Sequence, residues 1–215
     1  ARRIVLKISG EALSGEGGFG IDPQVLSNTA KAIRNVQNQG VQTVLVIGGG
    51  NIFRGAALQK AGFDRVAGDQ MGMLATIMNG LAMREELKAQ YSATLGRELL
   101  DQGHSLIVAG GTGAPFFTTD TAAVLRAIEL QCSEVLKATK VDGIYTADPV
   151  KDPSATKFDK LTFDEVIQKQ LEVMDLTAFA LAREHHMPIR VFSMNKEGAF
   201  DKAALGHNEG TVVSD

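Results

Sequence analysis

The sequence predicts an α/β fold, a three-layer αβα sandwich with a mostly parallel central sheet. Short continuous runs of Val, Ile and Leu alternate along the chain with longer segments of helical period. Continuous apolar runs are typical of strands that helices cover on both faces. Two of the runs end in glycine clusters, as expected where a parallel strand passes into a helix.

The composition predicts one globular domain over residues 1–215, since 44% of the residues are hydrophobic and no linker-like stretch divides them. The net charge of −3 at pH 7 argues against a general nucleic-acid binder or a membrane-surface binder. A single cysteine, Cys132, excludes an internal disulfide framework, and we expect a buried thiol there. The chain shows no signal peptide or long apolar run, so we expect a cytoplasmic protein.

The first half of the chain predicts two strands and two helices in alternation. An apolar run at 2–10 forms the first strand. Asp22-Pro23, an N-cap residue followed by proline, begins a helix that ends near Gln39. The run before Gly48 is the second strand, and a long helix follows from about residue 69 to 91.

The second half continues the alternation. Residues 105–113 form a strand that ends in glycines, and residues 119–130 form a helix. Two more strands lie at 134–138 and 188–193, and a helix begins at Asp175 between them. His185 and His186 belong to the C-terminal turn of that helix; adjacent helical residues point about 100° apart, which does not suit a metal site.

The two glycine runs, Gly48-Gly49-Gly50 and Gly110-Gly111-Thr112-Gly113, indicate phosphate binding. Backbone without side chains can approach a ligand closely and aim N–H groups at its oxygens. The alternative for either run alone is that the glycines merely turn the chain. Two runs at one sheet edge favour two phosphorylated ligands.

The common phosphate-binding motifs are absent from the sequence or stand in the wrong place. The sequence contains no GxxxxGK[ST] P-loop. GEGGFG at 15–20 matches GxGxxG literally, but it lies beyond the first strand and before a separate helix start at Asp22. We interpret it as a mobile surface loop, and NAD binding is not supported.

Two basic residues, Lys7 and Arg54, lie close in sequence to the predicted strand ends and glycine runs. Lys7 interrupts the first apolar strand, where a lysine is costly to bury unless an anion meets it. A structural ion pair is the alternative explanation. Arg54 follows the first glycine run by four residues and could reach the same oxygens. Cations around glycine turns are what phosphoryl transfer requires, because charge neutralisation and positioning do most of the work.

Six segments closely resemble the bacterial uridylate kinases of the amino-acid-kinase superfamily. In chain order they are LKISGEAL, VIGGGNIFRG, GDQMGMLATIMNGLAMR, GGTGAPFFTTDTAA, KATKVDGIYTADP and MPIRVFSMNKEGA. The resemblance implies ATP-dependent phosphorylation of UMP to UDP with Mg²⁺, in pyrimidine nucleotide biosynthesis. It also implies a homohexamer that GTP activates and UTP inhibits. The acceptor nucleotide would be bound by a half at about 1–130 and ATP by a half at about 131–215.

The resemblance also implies roles for individual residues. For ATP these are Lys7, Ile8, Ser9, Gly10, Gly50, Arg54, Thr139, Tyr145 and Asp148; for UMP they are Gly49, Asp69, Thr112, Gly113, Ala114, Pro115, Phe116, Phe117, Thr118 and Thr119. Lys7, Arg54, Asp120 and Asp175 would lie at the reaction centre, the two carboxylates orienting Lys7 or Mg²⁺. Gly15, Glu16, Gly17, Gly18, Phe19 and Gly20 match the family's effector loop. No set of protein metal ligands is predicted.

Three alternatives remain open at this stage. The chain could be a nucleotide sensor without activity, although transfer-specific cations argue against that. It could be a sibling kinase acting on carbamate, aspartate or acetylglutamate, although the aromatic pair and hydroxyls of GTGAPFFTTD suit a nucleoside better. Asp69 could be only the N-cap of the long helix.

The junction Ser92-Ala93 departs from the family pattern. Two helical stretches would meet there with no Gly, Pro or Asn to turn the chain. Uridylate kinases carry a longer segment, a loop and a strand, at this point. We therefore expect residues to be missing here, with the Cα atoms of Ser92 and Ala93, or of a neighbouring pair, much farther apart than the about 3.8 Å of a trans peptide bond.

Overall fold

A computed structural model describes residues 2–53, 62–87, 96–171 and 173–215 of the chain and confirms the predicted α/β class. The strands are β1 (Arg3–Ile8), β2 (Gln42–Ile47), β3 (Leu106–Val108), β4 (Glu134–Thr139), β5 (Ile144–Tyr145), β6 (Lys157–Phe158), β7 (Lys160–Leu161), β8 (Ile189–Ser193) and β9 (Thr211–Val213). Seven of them form one sheet in the order β3-β2-β1-β4-β8-β9-β7, and β5 pairs with β6 in a separate antiparallel ribbon.

The helices are α1 (Pro23–Asn38), α2 (Arg65–Leu87), α3 (Gly96–Asp101), α4 (Thr119–Glu129), α5 (Phe163–Gln168), α6 (Leu176–Glu184) and α7 (Ala199–Ala204). Short 3₁₀ turns at Gly10–Leu13 and Gly15–Gly17 connect β1 to α1. Among the residues described, no helix has both the length and the apolar character needed to cross a membrane.

The sheet is mostly parallel, as predicted. β3, β2, β1, β4 and β8 all run in one direction. β9 is antiparallel to β8, and β7 runs parallel to β9. Helical connections between the central strands produce this arrangement, because parallel strands cannot be joined by a tight hairpin.

Alternation along the strands divides the core into two layers. Val5 packs with Val135 and Phe179 on the face that α4 and α6 cover. Leu6, one residue later, packs with Ile33 on the face that α1 covers. Successive strand residues point to opposite faces, so the residue after Leu6 returns to the α4 face. That residue is Lys7, and the fold thereby aims it at α4.

The start of α1 is as predicted. Asp22 Oδ1 accepts hydrogen bonds from the backbone N–H groups of Gln24 (2.8 Å) and Val25 (3.1 Å), and Pro23 is the first helical residue. Proline lacks an N–H that would be unpaired at this position, and its φ suits a helix. The helix buries one stripe, consisting of Leu26, Ala30, Ile33 and Val36.

The predicted start of the long helix is wrong by four residues. α2 begins at Arg65, and Asp64 Oδ2 accepts from the N–H groups of Val66 (2.9 Å) and Ala67 (3.2 Å). Asp64 therefore caps the helix, and the alternative that Asp69 is its N-cap is wrong. The predicted end near Tyr91 and the Ser92-Ala93 junction lie outside the described residues.

The predicted strand at 105–113 is too long, because β3 ends at Val108. Gly110, Gly111 and Gly113 have φ angles of 90°, 60° and 78°. These left-handed conformations cannot continue a strand, and glycine adopts them without steric cost. The glycines therefore form the turn between β3 and α4.

Cys132 is a core thiol, as predicted. Its side chain is buried beside α4 in the same layer as Val5. Burial raises the pKa of the thiol to about 12, so the reactive thiolate is scarce at neutral pH.

Candidate active site

Four parallel strands end side by side at one edge of the sheet, and the turns after them form the candidate site. The register pairs Ile8 of β1 with Ile47 of β2 and with Ala138 of β4. β3 ends almost level with them, with Val108 beside Val46 of β2. Ligands of open α/β sheets bind at the carboxyl ends of the strands, and both predicted glycine runs lie at this edge.

The turns after β1 and β2 touch through their backbones. A Cβ on Gly10 would lie 2.6 Å from Gly48 O and from Gly50 N, and one on Gly48 would lie 2.9 Å from Gly10 N. Gly49 packs on α2, where a Cβ would lie 2.7 Å from Gly72 O. These distances are too short for any side chain, so glycine is required by backbone packing as well as by any ligand.

Two lysines flank one aspartate beneath these turns, and we call Lys7, Asp120 and Lys137 the lysine cluster. The lysines are paired in register on β1 and β4 and face α4, which carries Asp120. Lys7 Nζ lies 2.8 Å from Asp120 Oδ1 in an ion pair. Lys137 Nζ donates to Asp120 Oδ2 over 2.7 Å. The three side chains are only 10–12% exposed, so two positive charges and one negative charge lie almost out of water.

The cluster has a surplus of positive charge. Burial alone would raise the pKa of the Asp120 carboxyl, but the charges of Lys7 and Lys137 outweigh burial and lower that pKa. Burial lowers the pKa of the Lys137 ammonium; Asp120 opposes this shift, and the charge of Lys7 adds to it. A structural ion pair accounts for Lys7 and Asp120. Lys137 shares that carboxylate with Lys7, and the charge of Asp175 also supports the protonated form of Lys137. Two ammonium groups on one carboxylate favour the entry of an anion such as a phosphate.

Lys137 is a site residue that the sequence analysis missed. It interrupts the apolar run at 134–138 as Lys7 interrupts the run at 2–10, so the same signal was present. Besides Asp120, the Lys137 ammonium donates to the carbonyl of Val173. Two lysines in neighbouring strands become a pair only through the register of the sheet.

A cavity of about 660 Å³ lies over the two lysines, and we call it the lysine cavity. Ser9, from the turn after β1, and Thr139, the last residue of β4, line it. Ile8 is buried in the core, so only its backbone can face a ligand. The structure thus brings Lys7, Ser9 and Thr139 together.

Thr139 also lines a second cavity of about 520 Å³ beside the β5–β6 ribbon, the ribbon cavity. Tyr145 and Asp148 line it as well. The Tyr145 hydroxyl donates to Asp142 Oδ1 over 2.5 Å, which raises the pKa of the phenol and lowers the pKa of the Asp142 carboxyl. The three residues predicted for the donor end therefore lie in one place.

A third cavity of about 290 Å³ lies between α2 and the glycine turns, and we call it the aromatic cavity. It contains most of the residues predicted for the acceptor. These are Gly49, Asp69, Thr112, Phe117, Thr118 and Thr119, together with Gly50. Gly113, Ala114, Pro115 and Phe116 belong to the same 109–118 loop and lie outside this lining.

Asp69 connects α2 to the 109–118 loop. Its Oδ2 accepts from the Phe116 backbone N–H over 2.9 Å and from Arg65 Nε over 3.2 Å. The Arg65 guanidinium lies 5.4 Å from the centre of the Phe116 ring, within the range of a cation–π contact. Phe116 has a φ of 71°, a strained value for a residue with a side chain. Asp69 and Arg65 therefore contact the loop at the residue whose backbone is strained.

Asp175 lies next to the lysine cluster without an ion pair to Lys7. It is the N-cap of α6, and its Oδ1 accepts from Ala178 N over 2.8 Å and from Thr121 Oγ1 over 3.0 Å. The hydroxyl of Thr118 also donates to it. Asp175 and Asp120 line one further cavity, which lies against α5, the segment between α5 and α6, and the start of α6.

The 15–20 loop borders the lysine cavity. Gly15, Glu16 and Gly18 line that cavity, whereas the Phe19 side chain is 74% exposed. Gly20 ends the loop with a hydrogen bond from its N–H to Asn51 O, 2.8 Å long. The loop therefore reaches both the lysine cavity and the turn after β2.

Arg54 lies outside the described residues. His185 follows α6 as its C-cap, which confirms a helix C-terminal turn. Within the part of the chain that the structure describes, no three His, Cys, Asp or Glu side chains are arranged to hold a metal ion.

The chain is similar to a known protein family and to individual proteins within it. A model described as the amino acid kinase family matches residues 2–193. The chain is 54% identical to a uridylate kinase of Vibrio cholerae, over 100% of this chain and 96% of that protein. It is 53% identical to a uridylate kinase of Colwellia psychrerythraea, over 99% of this chain and 94% of that protein.

Solved structures of UMP kinases have the same fold as this chain. The UMP kinase from Bacillus anthracis superposes with a TM-score of 0.94 at 34% identity, over 100% of this chain and 96% of that one. The UMP kinase from Ureaplasma parvum superposes with a TM-score of 0.92 at 33% identity, over 100% and 99%.

The alignment with the Vibrio cholerae protein runs over 232 positions, whereas this chain has 215 residues. The relative therefore has internal residues that this chain lacks. Their location near Ser92-Ala93 stays a prediction.

Proposed function

The chain belongs to the amino acid kinase family and, within it, to the uridylate kinases, and on that premise we propose that it transfers the γ-phosphoryl group of ATP to UMP, giving UDP and ADP. The observation that carries the proposal is the lysine cluster. It lies beneath the turns from which the lysine, ribbon and aromatic cavities open, where two bound nucleotides would bring their phosphates together.

The acceptor needs no general base. The second pKa of a phosphate monoester is about 6, so UMP is mostly dianionic near neutral pH and its oxygen can attack directly. The difficulty is to bring this dianion against the γ-phosphate of ATP, another anion. Fixed positive charge and backbone N–H groups overcome that repulsion and stabilise the transferring oxygens.

We assign that task to Lys7 and Lys137. Their ammonium groups lie on one Asp120 carboxylate and border the lysine cavity. Asp120 orients both lysines and reduces the repulsion between them, so they need little rearrangement as charge develops. Arg54 joins them in this proposal on the family resemblance.

The acceptor site in this proposal is the aromatic cavity and the loop beside it. Gly49 offers backbone to the UMP phosphate, and Asp69 accepts from the ribose hydroxyls. The hydroxyls and rings of the 109–118 loop surround the rest of the nucleoside; the residues assigned are Thr112, Gly113, Ala114, Pro115, Phe116, Phe117, Thr118 and Thr119.

The donor site extends from the lysine cavity to the ribbon cavity. Ser9, Gly10 and Gly50 lie against the phosphates, and the Ile8 backbone precedes them. Thr139, Tyr145 and Asp148 hold the nucleoside end of ATP. In this division residues 1–130 chiefly bind the acceptor and 131–215 the donor, while Lys7 serves both.

Mg²⁺ enters as part of the ATP substrate. Magnesium usually keeps several waters and substrate phosphates as ligands and needs only one or two carboxylates from the protein. We assign Asp175 as the carboxylate that would interact with Mg²⁺. It accepts hydrogen bonds from two hydroxyl groups and one backbone N–H.

The family resemblance also supports finer proposals. We infer a cytoplasmic homohexamer in pyrimidine nucleotide biosynthesis, activated by GTP and inhibited by UTP. The 15–20 loop is the proposed effector site.

A coupled assay of ADP release tests the function. With ATP and Mg²⁺, we expect rapid turnover of UMP and little turnover of CMP, dUMP, aspartate or carbamate. Turnover of a small acid in place of UMP would identify a sibling kinase. Nucleotide binding without ADP release would identify a sensor.

A further inference from the structure

Asn51 and Asn79 form a pair of buried side-chain amides beneath the turn after β2. They are 1% and 0% exposed. Asn51 Nδ2 donates to Asn79 Oδ1 over 3.0 Å, and Asn79 Nδ2 donates to Asn51 Oδ1 over 2.7 Å. The mechanism above uses neither residue.

Each amide uses its second N–H to hold a different segment. Asn79 Nδ2 donates to Gly48 O over 2.7 Å, in the turn that carries Gly49 and Gly50. Asn51 Nδ2 donates to Gly20 O over 2.7 Å, and Gly20 N–H donates back to Asn51 O. The pair therefore connects α2, the turn after β2 and the 15–20 loop.

The pair also contacts the turn after β1. A Cβ on Gly10 would lie 2.6 Å from Asn51 Oδ1, as close as it would come to Gly48 O and Gly50 N. Asn51 is therefore packed against both turns that bear on the proposed phosphate sites. A change in the position of either amide has to move at least one of them.

We propose that Asn51 and Asn79 are positioning residues for phosphoryl transfer, which fix the turn after β2 against the turn after β1 and connect both to the 15–20 loop. This inference rests on the proposed function. Two apolar side chains could fill the same volume, but only directional donors can hold the carbonyls of Gly48 and Gly20 at set positions. Rates of transfer are sensitive to such placement, since a misplacement of about 1 Å can cost about 100-fold.

Asn79→Asp gives the kinetic test. The side chain keeps its shape and an acceptor for Asn51, but it loses both N–H donors and places a carboxylate oxygen against Gly48 O. We expect kcat to fall about tenfold to 100-fold, with KM for ATP and UMP changed less than about threefold. Asn28→Asp makes the same chemical change on the exposed surface of α1 and should leave both constants unchanged.

If Asn79 had only a structural role, its substitution would lower stability without lowering kcat per folded molecule. Rates are measured well below the melting temperature and divided by the folded fraction from circular dichroism, so that lost stability does not count as lost activity. Lowering the pH toward 5 should bring kcat of Asn79→Asp back toward that of the unmodified chain, because a protonated carboxyl can donate to Gly48 O and burial raises its pKa. An unchanged kcat per folded molecule would overturn the proposal.

Amide hydrogen exchange without nucleotides tests the connection itself. In Asn79→Asp we expect faster exchange at Gly48 N–H and also at Gly20 N–H, to which Asn79 is connected through Asn51. Unchanged protection at Gly20 would overturn the link to the 15–20 loop. Asn79→Ser, smaller and neutral, is the second variant if the charged one does not fold, and the same exchange pattern is expected of it.

The two proposals can fail separately. An unmodified chain that does not phosphorylate UMP would refute the proposed function, and the exchange experiment would then decide on the connection alone. Normal turnover by the unmodified chain and by Asn79→Asp would refute only the positioning role.

Discussion

The lysine cluster and the 109–118 loop lie at the same sheet edge but are built in opposite ways. The cluster stands on paired strands and a helix, with side chains 10–12% exposed. The loop has three left-handed glycines and a strained Phe116 that is 65% exposed. Groups that stabilise developing charge work best when they need not rearrange, whereas a loop can close on its ligand. We therefore expect changes in the cluster to alter kcat and changes around the loop to alter KM.

Lys7→Ala should have the largest effect. Its charge matters most as the transition state develops, so kcat should fall about 100-fold or more while the affinity for UMP changes much less. Lys137→Ala should act in the same direction, and Lys31→Ala, on the exposed side of α1, is the control. Near-normal kcat in Lys7→Ala would remove the cluster from the mechanism.

Asp120→Asn removes the negative charge that pairs with both lysines and should lower the stability of the fold. Removing one partner of a buried ion pair costs about 3 kcal/mol or more of unfolding free energy. Because the native pKa of Asp120 is lowered, its stabilisation is present above the usual carboxyl pKa of about 3.9 and is lost as pH falls toward the lower native value.

Urea unfolding from neutral to acidic pH measures this contribution. The difference between the unmodified chain and Asp120→Asn should be widest near pH 7 and shrink below about pH 4. The alkaline limb of the kcat profile should move to lower pH, because Lys137 loses the charge that supports its protonated form. A difference in stability that does not vary with pH would contradict the assignment.

Asp69→Asn should change specificity rather than kcat. If Asp69 accepts from ribose hydroxyls, dUMP is a poor substrate, and the variant should narrow the gap between UMP and dUMP in kcat/KM by about tenfold, the effect of one charged hydrogen bond. Asparagine keeps an oxygen for the Phe116 N–H, so the loop contact survives. Equal turnover of UMP and dUMP by the unmodified chain would rule this role out.

Arg65→Ala should have the smallest effect. Its side chain is half exposed, and both its ion pair with Asp69 and its contact with Phe116 are worth under about 1 kcal/mol at such a position. We expect KM for UMP to rise about two- to fivefold with kcat unchanged. Arg183→Ala, which breaks an exposed ion pair with Asp164, should change neither. A loss of kcat in Arg65→Ala would show that the loop is part of the charge-stabilising machinery.

The fold was predictable where local signals agree. The cap at Asp22-Pro23 and the apolar runs around Val5 and Val135 predicted α1, β1 and β4 close to their observed bounds. The start of α2 was not, because Asp64 and Asp69 are both plausible caps and only the backbone N–H groups of Val66 and Ala67 distinguish them.

The site was predictable in part for the same reason. A lysine inside an apolar strand and glycines after strands carry local chemical signals, and these led to Lys7 and Gly48. Lys137 carried the same signal, but its partnership with Lys7 depends on strand register. Asn51 and Asn79 carried none, because an asparagine in a loop and one in a helix are ordinary until burial brings their amides together.

By itself the sequence determined the α/β class, the order of strands and helices, and the family whose motifs it carries, because these follow from short-range periodicity and from continuous stretches of residues. The tertiary structure alone decided that one Asp120 serves two lysines, that Asp69 holds the 109–118 loop, and that two asparagines join three segments. These contacts join residues far apart in the chain, such as Lys7 and Asp120, and depend on which strands pair and in what register. Hydrogen bonds and ion pairs act over about 3 Å, and only folding brings such distant residues within that distance.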